Sequence, residues 1–120
     1  MNNFLCHWEI PSENPAELRS FYSTLFNWKI NAGDCMGREY NVCDVGEEGV
    51  WGAIDKVDSP NAGVIIYIMV EDIDTTENKI VELGGEIIKS KLPIKGTGIY
   101  SQFKDPQGNY LGIFQPLKQE

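Results

Sequence analysis

Hydrophobic and polar residues alternate at the start of the chain, from Asn3 to Ile10, which is the pattern of a half-buried β-strand. Pro11 follows directly, and we predict that it ends this strand. The two predicted faces differ in chemistry. One face carries Phe4, Cys6, Trp8 and Ile10, and the other carries Leu5, His7 and Glu9.

An amphipathic helix is predicted next. Asn14 can serve as its N-cap, Pro15 suits the first helical position, and Asn27 suits the left-handed position after the last turn. The apolar stripe at spacing i, i+3, i+4, i+7 consists of Leu18, Phe21, Tyr22 and Leu25. This stripe predicts that the helix packs on a sheet.

Three further strands and a boundary follow the helix. Gly33 and Asp34 are expected in a loop, and the turn-forming cluster from Asp58 to Asn61 is expected to separate two halves of the chain. The three strands are predicted over Trp28 to Asn31, Glu39 to Val45 and Val50 to Ile54.

The second half repeats the same order of elements. Its helix is expected to be capped by Asp72 or Asp74 and to end near Leu83, and Pro93 is expected in a loop. Its strands are predicted over Val64 to Val70, Glu86 to Lys91, Ile99 to Phe103 and Tyr110 to Phe114. The pattern predicts an α+β domain with two similar halves, at about residues 3–57 and 62–115.

The last two strands are joined by Asp105-Pro106-Gln107-Gly108-Asn109, which is typical of a tight turn. A final strand entered through Asp-Pro-x-Gly-Asn resembles the last hairpin of the vicinal oxygen chelate superfamily, which includes glyoxalases, bleomycin-resistance proteins and extradiol dioxygenases. The resemblance covers residues 3 to 115. It implies two βαβββ modules that form a pseudo-symmetric half-barrel around a cleft.

In metal-dependent members of this superfamily, the first and last strands of each module supply the metal ligands. The matching positions here are His7, Ile65, Gly52 and Gly112, so one of the four can bind a metal. Divalent metals in such sites need about three protein ligands. We therefore expect no tightly bound metal and no other cofactor.

Two polar residues remain candidates for catalysis. His7 could act as an acid–base or hydrogen-bonding group in the cleft, since histidine exchanges protons near neutral pH, or it could be an ordinary strand histidine. Glu9 lies two residues further on the same face and could be a cleft carboxylate or a solvated residue.

The glycines on the last strands are expected to leave space for a ligand, with aromatic side chains around it. A flat or apolar small molecule would suit such a wall. The candidate ligand-binding residues are Trp51, Gly52, Tyr67, Tyr100, Tyr110, Gly112 and Phe114.

Composition narrows the range of partners. The chain has 120 residues, which suggests one domain, and a net charge of −8, which disfavours nucleic acid. No apolar run approaches the length of a membrane helix, and the N-terminus lacks the pattern of a signal peptide, so we expect a cytoplasmic protein with three reduced cysteines.

These observations favour a glyoxalase-like or bleomycin-resistance-like protein that binds a small organic molecule without a tightly bound metal. The superfamily resemblance implies a homodimer. The alternatives are a metal-dependent lyase, isomerase or dioxygenase of the same superfamily, or a regulatory module whose cleft is vestigial.

Overall fold

The computed structural model describes residues 3–58 and 63–118. Within them the order strand, helix, three strands occurs twice, which confirms the predicted α+β class with two βαβββ modules. Residues 59–61 of the predicted boundary lie outside the described part. The elements are β1 (Phe4–Ser12), α1 (Pro15–Phe26), β2 (Lys29–Cys35), β3 (Arg38–Asp44), β4 (Gly52–Lys56), β5 (Ile65–Met69), α2 (Ile73–Glu82), β6 (Glu86–Ile94), β7 (Gly98–Lys104) and β8 (Tyr110–Pro116).

The chain divides into two compact units. The N-terminal unit is His7–Ile65, and the C-terminal unit contains residues 3–6 and 66–118 of the described chain. No helix in the described ranges is both long enough and apolar enough to cross a membrane.

The sheet of the N-terminal unit has the strand order β2-β3-β4-β1. The pairs β2–β3 and β3–β4 are antiparallel, and β1 runs parallel to β4. Helix α1 packs on one face, where Nη1 of Arg19 donates to Oδ1 of the fully buried Asn41 at 2.9 Å. Successive side chains along a strand point to opposite faces of the sheet. Tyr40 precedes Asn41, so it lies on the face opposite α1, in register with Asp55.

The C-terminal unit has the strand order β5-β8-β7-β6, with β5 and β8 parallel and the other pairs antiparallel. Its core lies between the sheet and α2, where Val70, Ile73 and Ile113 are buried. The hydrophobic residues packed against that core are Ile68, Ile80, Ile99 and Phe103. Gly112 precedes Ile113 on the strand, so it lies on the face that α2 does not cover.

In each unit a polar side chain at the same position of the helix forms a hydrogen bond with the sheet. Arg19 is the fourth residue after the start of α1 and donates to Asn41, while Glu77 is the fourth after the start of α2 and accepts from the buried Ser101. Buried polar groups must be hydrogen-bonded. These contacts fix the register of helix on strand in both units.

The helix ends follow the predicted chemistry in most respects. Asn27 has a φ of 60° at the end of α1, which confirms the left-handed position. Asp72 accepts the Thr75 N–H and caps α2, which decides between the two candidates. Asn14 makes no side-chain cap, and its own N–H donates to Oγ of Ser12 instead.

Four expected loop or end residues, Pro11, Gly33, Asp34 and Pro93, lie inside strands. Pro11 does not end β1, because pairing with β4 continues to Ser12. Gly33 belongs to β2 and pairs with Tyr40 of β3. The turn between these strands comes later, at Met36 and Gly37, which have φ of 55° and 80°. Pro93 is part of β6, the last strand in the order of its unit, where a missing N–H is tolerated.

Candidate functional site

Three polar side chains meet on the face of the N-terminal sheet opposite α1. The Tyr40 hydroxyl lies 2.6 Å from Nε2 of His7 and donates to Oε2 of Glu9, also at 2.6 Å. The direct distance from His7 Nε2 to Glu9 Oε2 is 3.8 Å. We call His7, Tyr40 and Glu9 the polar trio.

The trio forms because strand geometry places its members together. His7 and Glu9 are two residues apart on β1, so their side chains leave the same face. Tyr40 comes from β3, and its hydroxyl reaches both of them. The sequence analysis named His7 and Glu9, and the structure brings these two candidates together through a third residue.

The hydrogen bonds limit where the protons can lie. Tyr40 donates its one hydroxyl proton to Glu9. The hydroxyl oxygen accepts from His7 in the imidazole tautomer that carries its proton on Nε2. The Glu9 side chain is 14% exposed and that of His7 is 31% exposed, so the trio is partly desolvated but can still be reached from solvent. Such an arrangement can bind a polar group and transfer a proton.

A charged pair lies on the same face as the trio. Arg38 donates through Nε and Nη2 to the two carboxylate oxygens of the buried Asp55, at 2.8 and 3.1 Å. Cys35 stands opposite Arg38 in the β2–β3 register, and burial raises the pKa of its thiol. The thiol is therefore protonated at neutral pH and is a weak nucleophile.

The donor set does not fit the metal that the superfamily implies. His7 Nε2 is hydrogen-bonded to the Tyr40 hydroxyl, and the corresponding first-strand residue of the second module is Ile65. Across residues 3–58 and 63–118, no three His, Cys, Asp or Glu side chains are arranged to hold a metal ion. A site of this kind needs about three such ligands.

Gly52 does not lie on the face of His7, which corrects the sequence analysis. The parallel register places Glu9 beside Ala53, so Gly52 is beside Trp8 on the helix side. A Cβ on Gly52 would overlap the Trp8 indole. The expected open space is filled by this ring, and the β4 residue beside Glu9 on the face of the trio is Ala53.

Gly112 lies on the expected face, but the space next to it is also filled. A Cβ there would overlap the Tyr67 ring. The Tyr67 hydroxyl accepts from Nε2 of Gln102 at 2.7 Å, and Oε1 of Gln102 accepts from the Tyr110 hydroxyl at 2.9 Å. The expectation of open space is therefore wrong here too, because the tyrosine is held over the glycine.

The other aromatic candidates fall into two groups. Tyr100 and Phe114 are register partners in the C-terminal unit, and Tyr67 and Tyr100 are only 3% and 7% exposed with their rings edge to face. Trp51 belongs to the N-terminal unit, is 44% exposed, and donates from its indole to the Gly46 carbonyl.

Sequence reasoning missed Tyr40, Arg38, Asp55 and Gln102. The alternation of β3 and β4 would have placed the first three on one face, had the register with β1 been known. That register joins residues more than forty positions apart, such as Glu9 and Ala53, and periodicity alone does not supply it.

Comparison with known proteins gives a family match over most of the chain. The family model described as glyoxalase-like domain matches residues 9–114. The curated protein "Putative glyoxylase CFP32" of Mycobacterium bovis is 26% identical over a 117-residue alignment that covers 93% of this chain and 44% of that protein. "Probable lactoylglutathione lyase" of Synechocystis is 36% identical over a 66-residue alignment that covers 54% of this chain and 50% of that protein.

The fold also matches that of a solved structure over the whole chain. The crystal structure of hypothetical protein BH1468 from Bacillus halodurans matches with a TM-score of 0.77 at 18% identity and covers 100% of this chain and 99% of that one. The chain spans half or less of the length of the two curated relatives described above.

Proposed function

The chain belongs to the family of glyoxalase-like domains, in the vicinal oxygen chelate superfamily, and on that premise we propose that it binds a small organic molecule at the polar trio without a tightly bound metal ion. The observation that carries the proposal is the Tyr40 hydroxyl, which lies 2.6 Å from both His7 and Glu9. A hydrogen-bonded cluster of this kind orients a polar ligand group.

The charge of the site favours neutral or cationic ligands. The Glu9 carboxyl accepts from Tyr40, and Asp55 is paired with Arg38 on the same face. The whole chain has a net charge of −8. An anion near Glu9 would be repelled in a partly desolvated setting, where charges interact more strongly than in water.

An exposed apolar side chain lies near the trio. Val42 is 38% exposed and is the register partner, on the same face, of the fully buried Ala53, which stands beside Glu9 on β4. A ligand with a small apolar body and one hydroxyl or amino group therefore matches the residues of this face.

The alternative is a metal-dependent lyase, isomerase or dioxygenase. The name of the Synechocystis relative favours a lyase. The donor set opposes it, since Nε2 of His7 is already hydrogen-bonded to Tyr40 and the side chains of Ile65 and Ala53 cannot bind a metal. We therefore keep the metal-independent binder as the proposal.

Three probes with one ring test the proposal: benzyl alcohol, benzylamine and benzoate, titrated into ¹⁵N-labelled protein with a chelator present. We expect the alcohol and the amine to shift the amide signals of His7, Glu9 and Tyr40, with dissociation constants on the order of 1 mM for such small molecules. Benzoate should bind more weakly. Shifts confined to other strands, or binding that requires added metal, would contradict the proposal.

Matched variants locate the site. Tyr40→Phe removes one hydroxyl and should weaken binding of benzyl alcohol about tenfold, which corresponds to about 1.4 kcal/mol. Tyr22→Phe makes the same chemical change on α1 and should leave binding unchanged.

A further inference from the structure

The position of the Tyr40 hydroxyl decides what else the trio can hold. Two ligand atoms bound to one metal at about 2.1 Å and at a tetrahedral angle lie about 3.4 Å apart. Nε2 of His7 and Oε2 of Glu9 are 3.8 Å apart, which is a few tenths of an ångström too wide. The hydroxyl lies between these atoms, at 2.6 Å from each.

The hydrogen bonds of the trio also oppose a cation. The Glu9 oxygen that would bind the metal accepts the Tyr40 proton instead. A metal ligand must offer a lone pair, and in the His7 tautomer that donates to Tyr40 the Nε2 atom has none. A cation can enter only if Nε2 offers its lone pair and Tyr40 moves its hydroxyl away.

We infer that the Tyr40 hydroxyl occupies the place at which His7 and Glu9 would hold a divalent cation, so that the hydrogen-bonded trio and a bound cation exclude each other. The tyrosine replaces the metal's role of joining the two side chains. The inference concerns the residues of the proposed ligand site, but its test uses metal ions alone. The inference can therefore fail while the proposed function holds, and the reverse is also possible.

Cobalt binding to four variants tests the inference. Cobalt(II) reports tetrahedral nitrogen and oxygen ligands by its visible absorption. We expect Tyr40→Phe to bind cobalt about tenfold or more tightly than the wild type, because it frees the Nε2 lone pair. Tyr40→His adds a third donor and should bind more tightly still. Tyr22→Phe should bind as the wild type does.

A double variant shows where the cobalt is bound. Tyr40→His combined with His7→Ala should lose the gain. The inference is overturned if Tyr40→Phe is folded and binds cobalt no better than Tyr22→Phe, or if the gain in Tyr40→His survives the loss of His7.

A second measurement needs no variant. His7 is the only histidine in the chain, so its imidazole signals are assigned without ambiguity. In a two-bond ¹H–¹⁵N spectrum of the metal-free protein, we expect the neutral imidazole to carry its proton on Nε2. A neutral ring protonated on Nδ1 would leave Nε2 with a lone pair toward Tyr40 and would overturn the inference even if every variant failed to fold.

Discussion

The indole of Trp8 lies directly over the α-carbon of Gly52, at the point where β1 and β4 run side by side. Trp8 also packs against Trp28, with ring centroids 5.4 Å apart, and its indole donates to the Val50 carbonyl at 2.8 Å. The glycine is therefore needed to admit a ring from the protein itself. Gly112 has the same relation to Tyr67 in the C-terminal unit.

Adding a methyl group at either glycine should destabilise the fold. Gly52→Ala would meet Trp8 and Gly112→Ala would meet Tyr67, and each should lower the free energy of unfolding by about 1–3 kcal/mol through overpacking. Gly33→Ala is the control, because its Cβ meets only one atom within 4 Å, the Tyr40 carbonyl oxygen at 3.3 Å. Urea unfolding measures the differences, and equal losses in all three variants would contradict this account.

The pair of Arg38 and Asp55 should matter for stability because the carboxylate is buried. Arg38→Met leaves that charge without its bidentate partner and should cost about 1–3 kcal/mol. Adding Asp55→Asn to Arg38→Met should recover part of the loss, since no unpaired charge remains. Thermal unfolding of the single and double variants measures this coupling, and strictly additive losses would argue against it.

The turn at Asp105 should make stability depend on acid pH. The Asp105 carboxylate accepts from the Asn109 side chain and from the N–H groups of Asn109 and Gln107, and these bonds hold the pKa of Asp105 below its ordinary value of 3.8. A lowered folded-state pKa stabilises the protein above the unfolded value, and this contribution is lost as pH falls through the folded pKa.

The variant Asp105→Asn removes that titration. Its melting temperature should lie below that of the wild type by a constant amount between pH 6 and 8, and the gap should narrow below about pH 4. A gap that stays constant down to pH 3 would show that the carboxylate charge does not stabilise the turn.

The cysteines should differ in reactivity. Cys43 is fully buried, and burial raises the pKa of its thiol to about 11. Iodoacetamide at pH 7.5 should leave Cys43 unmodified in the native protein and modify it in urea, as followed by mass spectrometry. Cys35 is partly exposed and serves as the internal reference. Native-state modification of Cys43 at the rate of Cys35 would contradict the burial.

Local chemistry made much of this fold predictable, as the cap at Asp72 and the turn after Asp105 illustrate. These features depend on residues within five positions of each other. Predicting which face of the sheet Gly52 lies on required the register between β1 and β4. An error of one residue in that register moves a side chain to the other face. Tyr40 was missed for a related reason, since it meets Glu9 across 31 positions of sequence.

The most direct test of the polar trio as a ligand site is the imidazole spectrum of His7, the only histidine, recorded in chelator before and after benzyl alcohol is added. We expect the His7 ring signals to move in a saturable way, with the same dissociation constant as the amide signals of Glu9 and Tyr40. Imidazole signals that stay fixed while benzyl alcohol saturates the protein would place the ligand elsewhere and contradict the account.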